Sequence, residues 1–427
     1  MQRLKRELTL LDALAINIGA IIGAGIFVIS GIAAGSAGPA AIVSIMIGAA
    51  IAVFTGICYA ELAHVYAEEG GTYEYSREIL GNYIGFIAGF LSIIGAIIVT
   101  SAVSISFGGY FLSIFNLHSG SGIVAVALIA FLGAINYFGV KSSARASAIL
   151  TVVKILVLAF FIVVGLFFIK PSNYVPFDPK GLNGIFVASA FIFFAYTGFA
   201  RITNLGEEVK NAREVIPKAI LDSIVISCVI YLLVMLVFIG MVPYGSVADS
   251  KAPLEAAVAY ATHNPYFSYV IAAGALLATV NVALSMILGL SRVVFAMARD
   301  KNLPGSLSRL NRFGAPSTAL AFSCIVMAVA VFAISFKEIV SLSNATALVS
   351  YTIANVAALK LYIDNRGKPG KLLFKSRYFM LVPLLGVMTT LFTLRFLTAL
   401  SLAITAVLIL AITAYYAAVR KANGPRR

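Results

Sequence analysis

The sequence predicts an all-α integral membrane protein with 12 transmembrane helices, and three observations support this fold class. Of the 427 residues, 61% are hydrophobic, only 11% are charged, and apolar runs such as 146–169 recur along the chain. Soluble domains are about half apolar and a quarter charged, so this much apolar surface has to face lipid. Because a helix needs about 20 residues to cross the hydrocarbon, the spans leave no room for a large soluble domain.

The predicted spans follow one another with short connections. They cover residues 9–35, 38–64, 83–115, 122–139, 144–169, 183–209, 217–242, 266–298, 316–335, 339–362, 378–394 and 397–419. The chain starts with a basic and then an apolar stretch, as a signal peptide does. It lacks a small-residue cleavage site and its apolar run is too long, so we interpret this stretch as span 1.

The net charge of +14 reports topology. With the N-terminus in the cytoplasm, 25 of the 31 Lys and Arg residues lie on the inner side, five lie outside, and one, Lys154, lies within a span. Basic residues collect in cytoplasmic loops. We therefore predict a multi-pass protein of the cell membrane with both termini cytoplasmic. This topology accounts for the basic excess, so no nucleic-acid partner is expected.

Two spans contain interruptions near their middle. Span 1 has Gly19, Gly23 and Gly25 within seven residues, and span 6 has Thr197 and Gly198 near its centre. Each glycine weakens a helix. A lone glycine pair also fits close helix packing in lipid. Interruptions at the first helix of both halves, however, are typical of transporters built from inverted repeats.

An unwound stretch inside the bilayer needs a protein or water cavity to satisfy its backbone groups. The half-helix that begins at Gly23 to Ile26 would present N–H donors and a positive dipole end to a carboxylate. The carbonyls from Phe194 to Thr197 would face an ammonium group, so the ligand predicted is an α-amino acid. An apolar pocket for a neutral side chain is also predicted, formed by Phe193, Phe194 and Tyr196 of span 6 with Ile22 and Ile26 of span 1. The predicted substrate-binding residues are Ile22, Gly23, Ala24, Gly25, Ile26, Phe194, Ala195, Tyr196 and Thr197.

Four motifs occur in a fixed order along the chain. They are IGAIIGAGIF in span 1, YAELAHVYAEEGGTYEYSREILG after span 2, FFAYTGF followed by EEVKNAREVIPKAI in and after span 6, and SRVVFAMARDKNLP ending span 8. In these motifs the chain resembles the amino acid, polyamine and organocation (APC) transporter superfamily. The resemblance implies amino acid transport by alternating access, with the substrate held between the unwound parts of helices 1 and 6.

The resemblance also implies a domain organisation, a LeuT-like five-plus-five inverted repeat with discontinuous helices 1 and 6. On this basis residues 1–169 form the first repeat and residues 183–362 the second. Residues 378–419 form two additional helices, and residues 420–427 form a basic cytoplasmic tail.

Lys154 lies in an apolar run, nine residues after Arg145 and 16 before Lys170. At the rise of an α-helix, it is about 13 Å from the nearer charged residue. One reading is snorkelling toward the inner interface, and the other is an ionisable group facing the bundle interior. The resemblance implies the second, because Lys154 is similar to the helix 5 lysine of proton-coupled, sodium-independent members. In those members the ammonium occupies the ion position between helices 1 and 8, so Lys154 is the predicted proton acceptor.

The charged residues after span 6 fit either a solvated loop or an ion-paired inner gate, and those at the end of span 8 fit a structural role. The first group is Glu207, Glu208, Lys210, Arg213 and Glu214, and the second is Arg292, Arg299 and Asp300.

No enzyme signature occurs, so no catalytic residue, metal site or cofactor is predicted. The three histidines are scattered and there is no Walker loop to couple ATP directly. The expected partners are an amino acid, protons and the lipid bilayer. An exchanger of amino acids or polyamines is an alternative, disfavoured for cationic substrates because no acidic residue lies near the two interruptions. A channel or an amino acid sensor with the same binding site is the other alternative.

Overall fold

The computed structural model describes residues 4–114, 119–248, 250, 252–332, 336–365 and 372–422. These residues form sixteen α-helices with short 3₁₀ helices between them. Within these ranges there is no β-strand, only two isolated bridges, Leu8 to Val209 and Glu69 to Leu205. Of the predicted tail, residues 423–427 lie outside the described ranges.

The α-helices are numbered in chain order. The first seven are α1 (Leu10–Ile21), α2 (Ala24–Ala37), α3 (Ala41–Val65), α4 (Thr72–Leu80), α5 (Asn82–Ile114), α6 (Ser121–Tyr137) and α7 (Val140–Leu166). The remaining nine are α8 (Gly181–Tyr196), α9 (Ala212–Met241), α10 (Tyr244–Val247), α11 (Pro253–Thr262), α12 (Pro265–Arg299), α13 (Ser317–Ala330), α14 (Phe336–Asp364), α15 (Leu381–Leu394) and α16 (Ala399–Ala422).

Eight segments of the described chain are long and apolar enough to cross a membrane. The first, Leu10–Val65, runs through α1, α2 and α3. The others lie in α5, α7, α8 with its 3₁₀ extension, α9, α12, α14 and α16, and three shorter apolar helices add Ser121–Tyr137, Ser317–Ala330 and Tyr378–Leu394. These helices agree with the predicted all-α, multi-pass architecture, whereas the count of 12 spans stays a prediction.

Helix α7 has one exposed apolar face and one buried face. Ile149 and Leu156 are 66% and 62% exposed, whereas Lys154, Leu158 and Phe161 are fully buried. Spacings of four and seven residues place side chains on one face of an α-helix. The helical period therefore turns Lys154 into the bundle rather than toward lipid.

Two helices of the bundle are interrupted. Helix α1 ends at Ile21 and α2 begins at Ala24. Helix α8 ends at Tyr196, and the chain continues as a 3₁₀ helix over Thr197–Asn204. Helix α1 packs against this 3₁₀ helix while α2 packs against α8, so the two interruptions lie side by side.

Candidate functional site

The two interruptions contact each other through a glycine. A Cβ atom on Gly198 would overlap the backbone of Ala20 and Ile21, so only a residue without a side chain allows this approach. One turn before, the Asn17 side-chain oxygen accepts a hydrogen bond of 3.0 Å from the Ile202 N–H. Helix α1 is thereby joined to the 3₁₀ helix at two points.

A cavity of about 290 Å³, including the part that is open to solvent, lies where the interruptions meet. Its walls come from the two interrupted helices and from α5 and α12. The lining residues are Ala20, Ile21, Gly23, Gly25, Val99, Val103, Phe194, Ala195, Thr197, Val282 and Met286. Apart from backbone and the Thr197 hydroxyl, this lining is apolar, which suits a small ligand with an uncharged side chain.

Five of the nine predicted substrate-binding residues line this cavity, and these are Gly23, Gly25, Phe194, Ala195 and Thr197. Ile26 lines a neighbouring apolar cavity of about 210 Å³, which Gly25 and Ala195 also border. The side chain of Ala24 lies outside the described part of the structure.

Ile22, Phe193 and Tyr196 are fully buried and line neither cavity. Phe193 packs edge-on against Tyr351, and Tyr196 packs edge-on against Tyr231. Successive residues of an α-helix point about 100° apart, so a run of neighbours cannot all face one cavity. The apolar wall predicted from Phe193, Phe194 and Tyr196 therefore reduces to Phe194.

The carbonyl groups predicted to face an ammonium already accept hydrogen bonds from hydroxyl groups of the protein. Phe194 O accepts from Thr197 Oγ1 at 2.8 Å, and Thr197 O accepts from the Tyr351 hydroxyl at 2.5 Å. The hydroxyl of Tyr231 lies 3.1 Å from Ala195 O. Because a carbonyl oxygen has two lone pairs, a ligand ammonium would share these acceptors with the hydroxyl groups.

Tyr231 on α9 connects the two interruptions. Its hydroxyl lies 2.7 Å from Ile21 O, the last residue of α1, as well as within reach of Ala195 O. Tyr231 is not among the residues predicted from the sequence. The available signal was a tyrosine at the middle of an apolar span, where its hydroxyl has to find a protein partner.

The start of α2 supplies donors for an anion. Gly23 is its N-cap residue, with extended backbone and no side chain to cap the first turn. The first N–H groups of a helix have no partner within it. These groups adjoin the cavity at Gly23 and Gly25, the position expected for a ligand carboxylate.

Lys154 belongs to a polar cluster that joins α1, α7 and α12. Its Nζ atom donates to Gly19 O at 2.7 Å, and the Thr151 hydroxyl donates to Ala15 O at 3.1 Å. Asn281 on α12 donates to Thr151 Oγ1 at 2.9 Å. Full burial and a bond to a carbonyl inside the bundle exclude snorkelling in this structure.

Comparison with known proteins identifies the family. A family model described as amino acid permease matches residues 8–419. The chain belongs to the amino acid permease family. This result confirms the resemblance to the APC superfamily and makes the permease a multi-pass membrane transport protein rather than an enzyme.

Three relatives illustrate the range of the family. The permease is 33% identical to the branched-chain amino acid permease BcaP of Bacillus subtilis (strain 168), over 91% of its own chain and 87% of that protein. It is 33% identical to the methylthioribose transporter of the same organism, over 84% and 81%. It is 31% identical to the vacuolar cationic amino acid transporter 4 of Arabidopsis thaliana, over 86% and 65%.

In the permease, part of the charged segment after α8 is buried in ion pairs. The Arg292 guanidinium donates two hydrogen bonds to the Glu208 carboxylate, at 3.0 and 2.9 Å, and both side chains are at most 2% exposed. Arg299 pairs with Glu207 at 2.5 Å. The solvated-loop reading is thus wrong for Glu207 and Glu208. It fits Lys210, Arg213 and Glu214, which are exposed.

The same end of α12 also contacts α4. Asp300 pairs with Arg77 and accepts a hydrogen bond of 2.7 Å from the Tyr73 hydroxyl. Glu69 is fully buried nearby, and neither of its carboxylate oxygens has a hydrogen-bond partner in the described structure. Burial, followed by the neighbouring Glu208, raises the pKa of Glu69 well above its usual range. Burial therefore favours the neutral form of this carboxyl group.

Proposed function

We propose that the permease carries neutral amino acids across the cell membrane by secondary active transport, as a proton symporter that works by alternating access. The cavity at the junction of the two interruptions carries this proposal. It combines the uncapped start of α2, carbonyl acceptors at the end of α8 and apolar walls. Those three features match the carboxylate, the ammonium and the side chain of a neutral amino acid.

The proposed architecture is a five-plus-five inverted repeat of 12 spans with both termini in the cytoplasm. Residues 1–169 form the first repeat, 183–362 the second, and 378–419 the two additional helices. The interruptions at Ile22–Gly23 and Thr197 support this arrangement, because they fall in the first helix of each proposed repeat.

Lys154 is the proposed proton acceptor. Its Nζ atom donates to Gly19 O, one of the last carbonyls of α1, which lack partners within the helix. A charged ammonium is favoured at the C-terminal end of a helix dipole. Loss of the proton weakens this interaction and releases α1, the helix that borders the substrate cavity.

The substrate side chain is proposed to be branched and apolar. Val99, Val103, Val282 and Met286 form the cavity wall opposite the interruptions. The printed name of one relative, a branched-chain amino acid permease, supports this choice. Another relative of equal identity is named for methylthioribose, so identity alone does not select the substrate.

Uptake by the reconstituted permease tests the proposal. The purified full chain is placed in proteoliposomes and offered each of the twenty labelled amino acids, with and without an inward proton gradient. We expect leucine, isoleucine and valine to accumulate under the gradient without sodium. A requirement for sodium, or no uptake of any neutral amino acid, would contradict the proposal.

Two matched variants locate the site. Val103→Phe adds bulk inside the cavity, and Val163→Phe makes the same change on the exposed face of α7, where Val163 is 57% exposed. We expect uptake to fall at least tenfold in the first and to stay within twofold in the second. Counterflow separates the remaining alternatives, because a sensor gives no exchange and a channel gives no trans-stimulation, whereas an obligate exchanger accumulates nothing under a proton gradient alone.

A further inference from the structure

A second, larger cavity adjoins the first. It measures about 550 Å³, including the part that is open to solvent, and shares Val99 and Thr197 with the first cavity. Unlike the first, it is lined by many polar side chains from α3, α4, α5, the 3₁₀ helix and α14. They include Tyr59, Thr72, Arg201, Asn204 and Tyr351.

Arg201, on the 3₁₀ helix, is the basic residue in this lining. Its Nε atom is buried and has no hydrogen-bond partner in the described structure. The groups that act on it electrostatically are the hydroxyls of Tyr351 and Tyr59. Within the described ranges, Arg77, Arg292 and Arg299 are each paired with a carboxylate, and no ion pair includes Arg201.

A guanidinium inside a membrane protein is costly without an anion, and ionisable groups at such positions are commonly functional. Further donors surround Arg201. The Tyr59 and Thr72 hydroxyls share one hydrogen bond of 2.5 Å, which leaves one of their two protons free, and the Asn204 amide also lines the cavity. The planar guanidinium group of Arg201 can donate two parallel hydrogen bonds, which suits a carboxylate.

We propose that the second cavity is a carboxylate-binding site in which Arg201 supplies the pairing charge. This proposal rests on the proposed amino acid transport, which offers two sources of the carboxylate. One is the side chain of a dicarboxylic amino acid that binds in addition to the proposed neutral substrates, with its backbone in the first cavity. The other is the α-carboxylate of a second amino acid molecule. The four residue steps from Thr197 to Arg201 span about 8 Å of 3₁₀ helix, a distance that a glutamate and the arginine side chain cover together.

Sodium acetate tests the site, because it offers a carboxylate and no amine. The thermal unfolding midpoint of the purified full chain in nanodiscs is measured in 100 mM sodium acetate and in 100 mM sodium chloride. We expect acetate to raise the midpoint by about 2 °C relative to chloride in the wild type, as a ligand bound to the folded state does. Arg201→Gln removes this difference and Arg201→Lys keeps part of it.

Arg145→Gln is the matched control, since it deletes an exposed arginine on α7 and should keep the full acetate shift. The proposal would be overturned if the acetate shift were the same in the wild type and in Arg201→Gln. It would also be overturned if the wild type had the same unfolding midpoint in acetate and in chloride. If Arg201→Gln does not fold, loss of the shift in Arg201→Lys together with its persistence in Arg145→Gln supports the site. A full shift in both variants contradicts it.

Binding of labelled L-glutamate and L-leucine distinguishes the two sources. If the side-chain carboxylate binds Arg201, then Arg201→Gln weakens glutamate binding at least tenfold and leaves leucine binding within twofold. If the carboxylate belongs to a second amino acid molecule, the wild type binds two leucines per chain and Arg201→Gln binds one. An acetate effect without binding of any amino acid would leave the carboxylate site standing and refute the proposed transport function.

Discussion

Lys154 on α7 and Gly19 on α1 are joined by a hydrogen bond of 2.7 Å from the amine to the carbonyl. Gly19 lies two residues before the end of α1, and the amine is fully buried. A buried amine therefore contacts the half-helix that borders the first cavity. Under the proposed coupling, a change in its charge would act on the backbone next to the interruption.

Gly198→Ala should separate the two interruptions. The added methyl group overlaps the backbone of Ala20 and Ile21, and neither helix can move without disturbing the cavity. Overpacking of this kind costs about 1–3 kcal/mol. We expect a lower unfolding midpoint and at least tenfold weaker amino acid binding. Gly109→Ala, on an exposed part of α5 with no atom near the new methyl group, should change neither, and equal effects in the two variants would refute this role of Gly198.

Tyr231→Phe should weaken substrate binding by disconnecting Ile21 O and Ala195 O. The lost hydroxyl leaves both carbonyls without this shared donor, at a cost of about 1 kcal/mol in stability. We expect amino acid affinity to fall about fivefold, measured by equilibrium binding. Tyr174→Phe is the control, since it removes a hydroxyl bonded to Leu236 O on the same helix but away from the cavity. Unchanged affinity in Tyr231→Phe would contradict its positioning role.

Arg292→Gln should be more destabilising than Arg299→Gln. The first change leaves the Glu208 carboxylate buried without its partner, which costs about 3–5 kcal/mol, whereas the Arg299 and Glu207 side chains are 17% exposed. Thermal unfolding of the purified permease measures the difference. Replacing Arg292 by Met and Glu208 by Leu together should recover most of the loss. No recovery in the double variant would mean that the pair acts through something other than charge compensation.

Glu69→Gln should alter the pH dependence of stability. Because burial raises the pKa of Glu69 in the folded state, the folded protein holds its proton while the unfolded chain releases it above about pH 4.3. The wild type should then lose the stability that this group contributes as the pH rises above about 4.3. The variant lacks this contribution, so its unfolding midpoint should fall less over that range. Parallel pH profiles would show that Glu69 is charged in the folded state.

Features that conflict with their local surroundings could be predicted from the sequence. Glycines in the middle of an apolar span predict the interruption of span 1. A single charged residue in an apolar run indicates that Lys154 is functional. Both signals lie within one stretch of chain. They do not depend on how neighbouring helices are rotated.

Features that depend on packing between distant helices could not be predicted. Tyr231 reaches the two interruptions, and Arg201 the second cavity, from helices whose rotation the sequence leaves open. The rotation of α8 about its axis likewise determines that Phe194 lines the first cavity while Phe193 and Tyr196 point away. The partners of Glu207 and Glu208 lie on α12, far along the chain.

Proton coupling through Lys154 is tested most directly by uptake into proteoliposomes of wild type and Lys154→Ala under an inward proton gradient without sodium. Counterflow of the same amino acid at equal pH on both sides controls for folding and binding. We expect Lys154→Ala to lose gradient-driven accumulation at least tenfold while its counterflow persists. Accumulation equal to that of the wild type would contradict the role of Lys154 as proton acceptor.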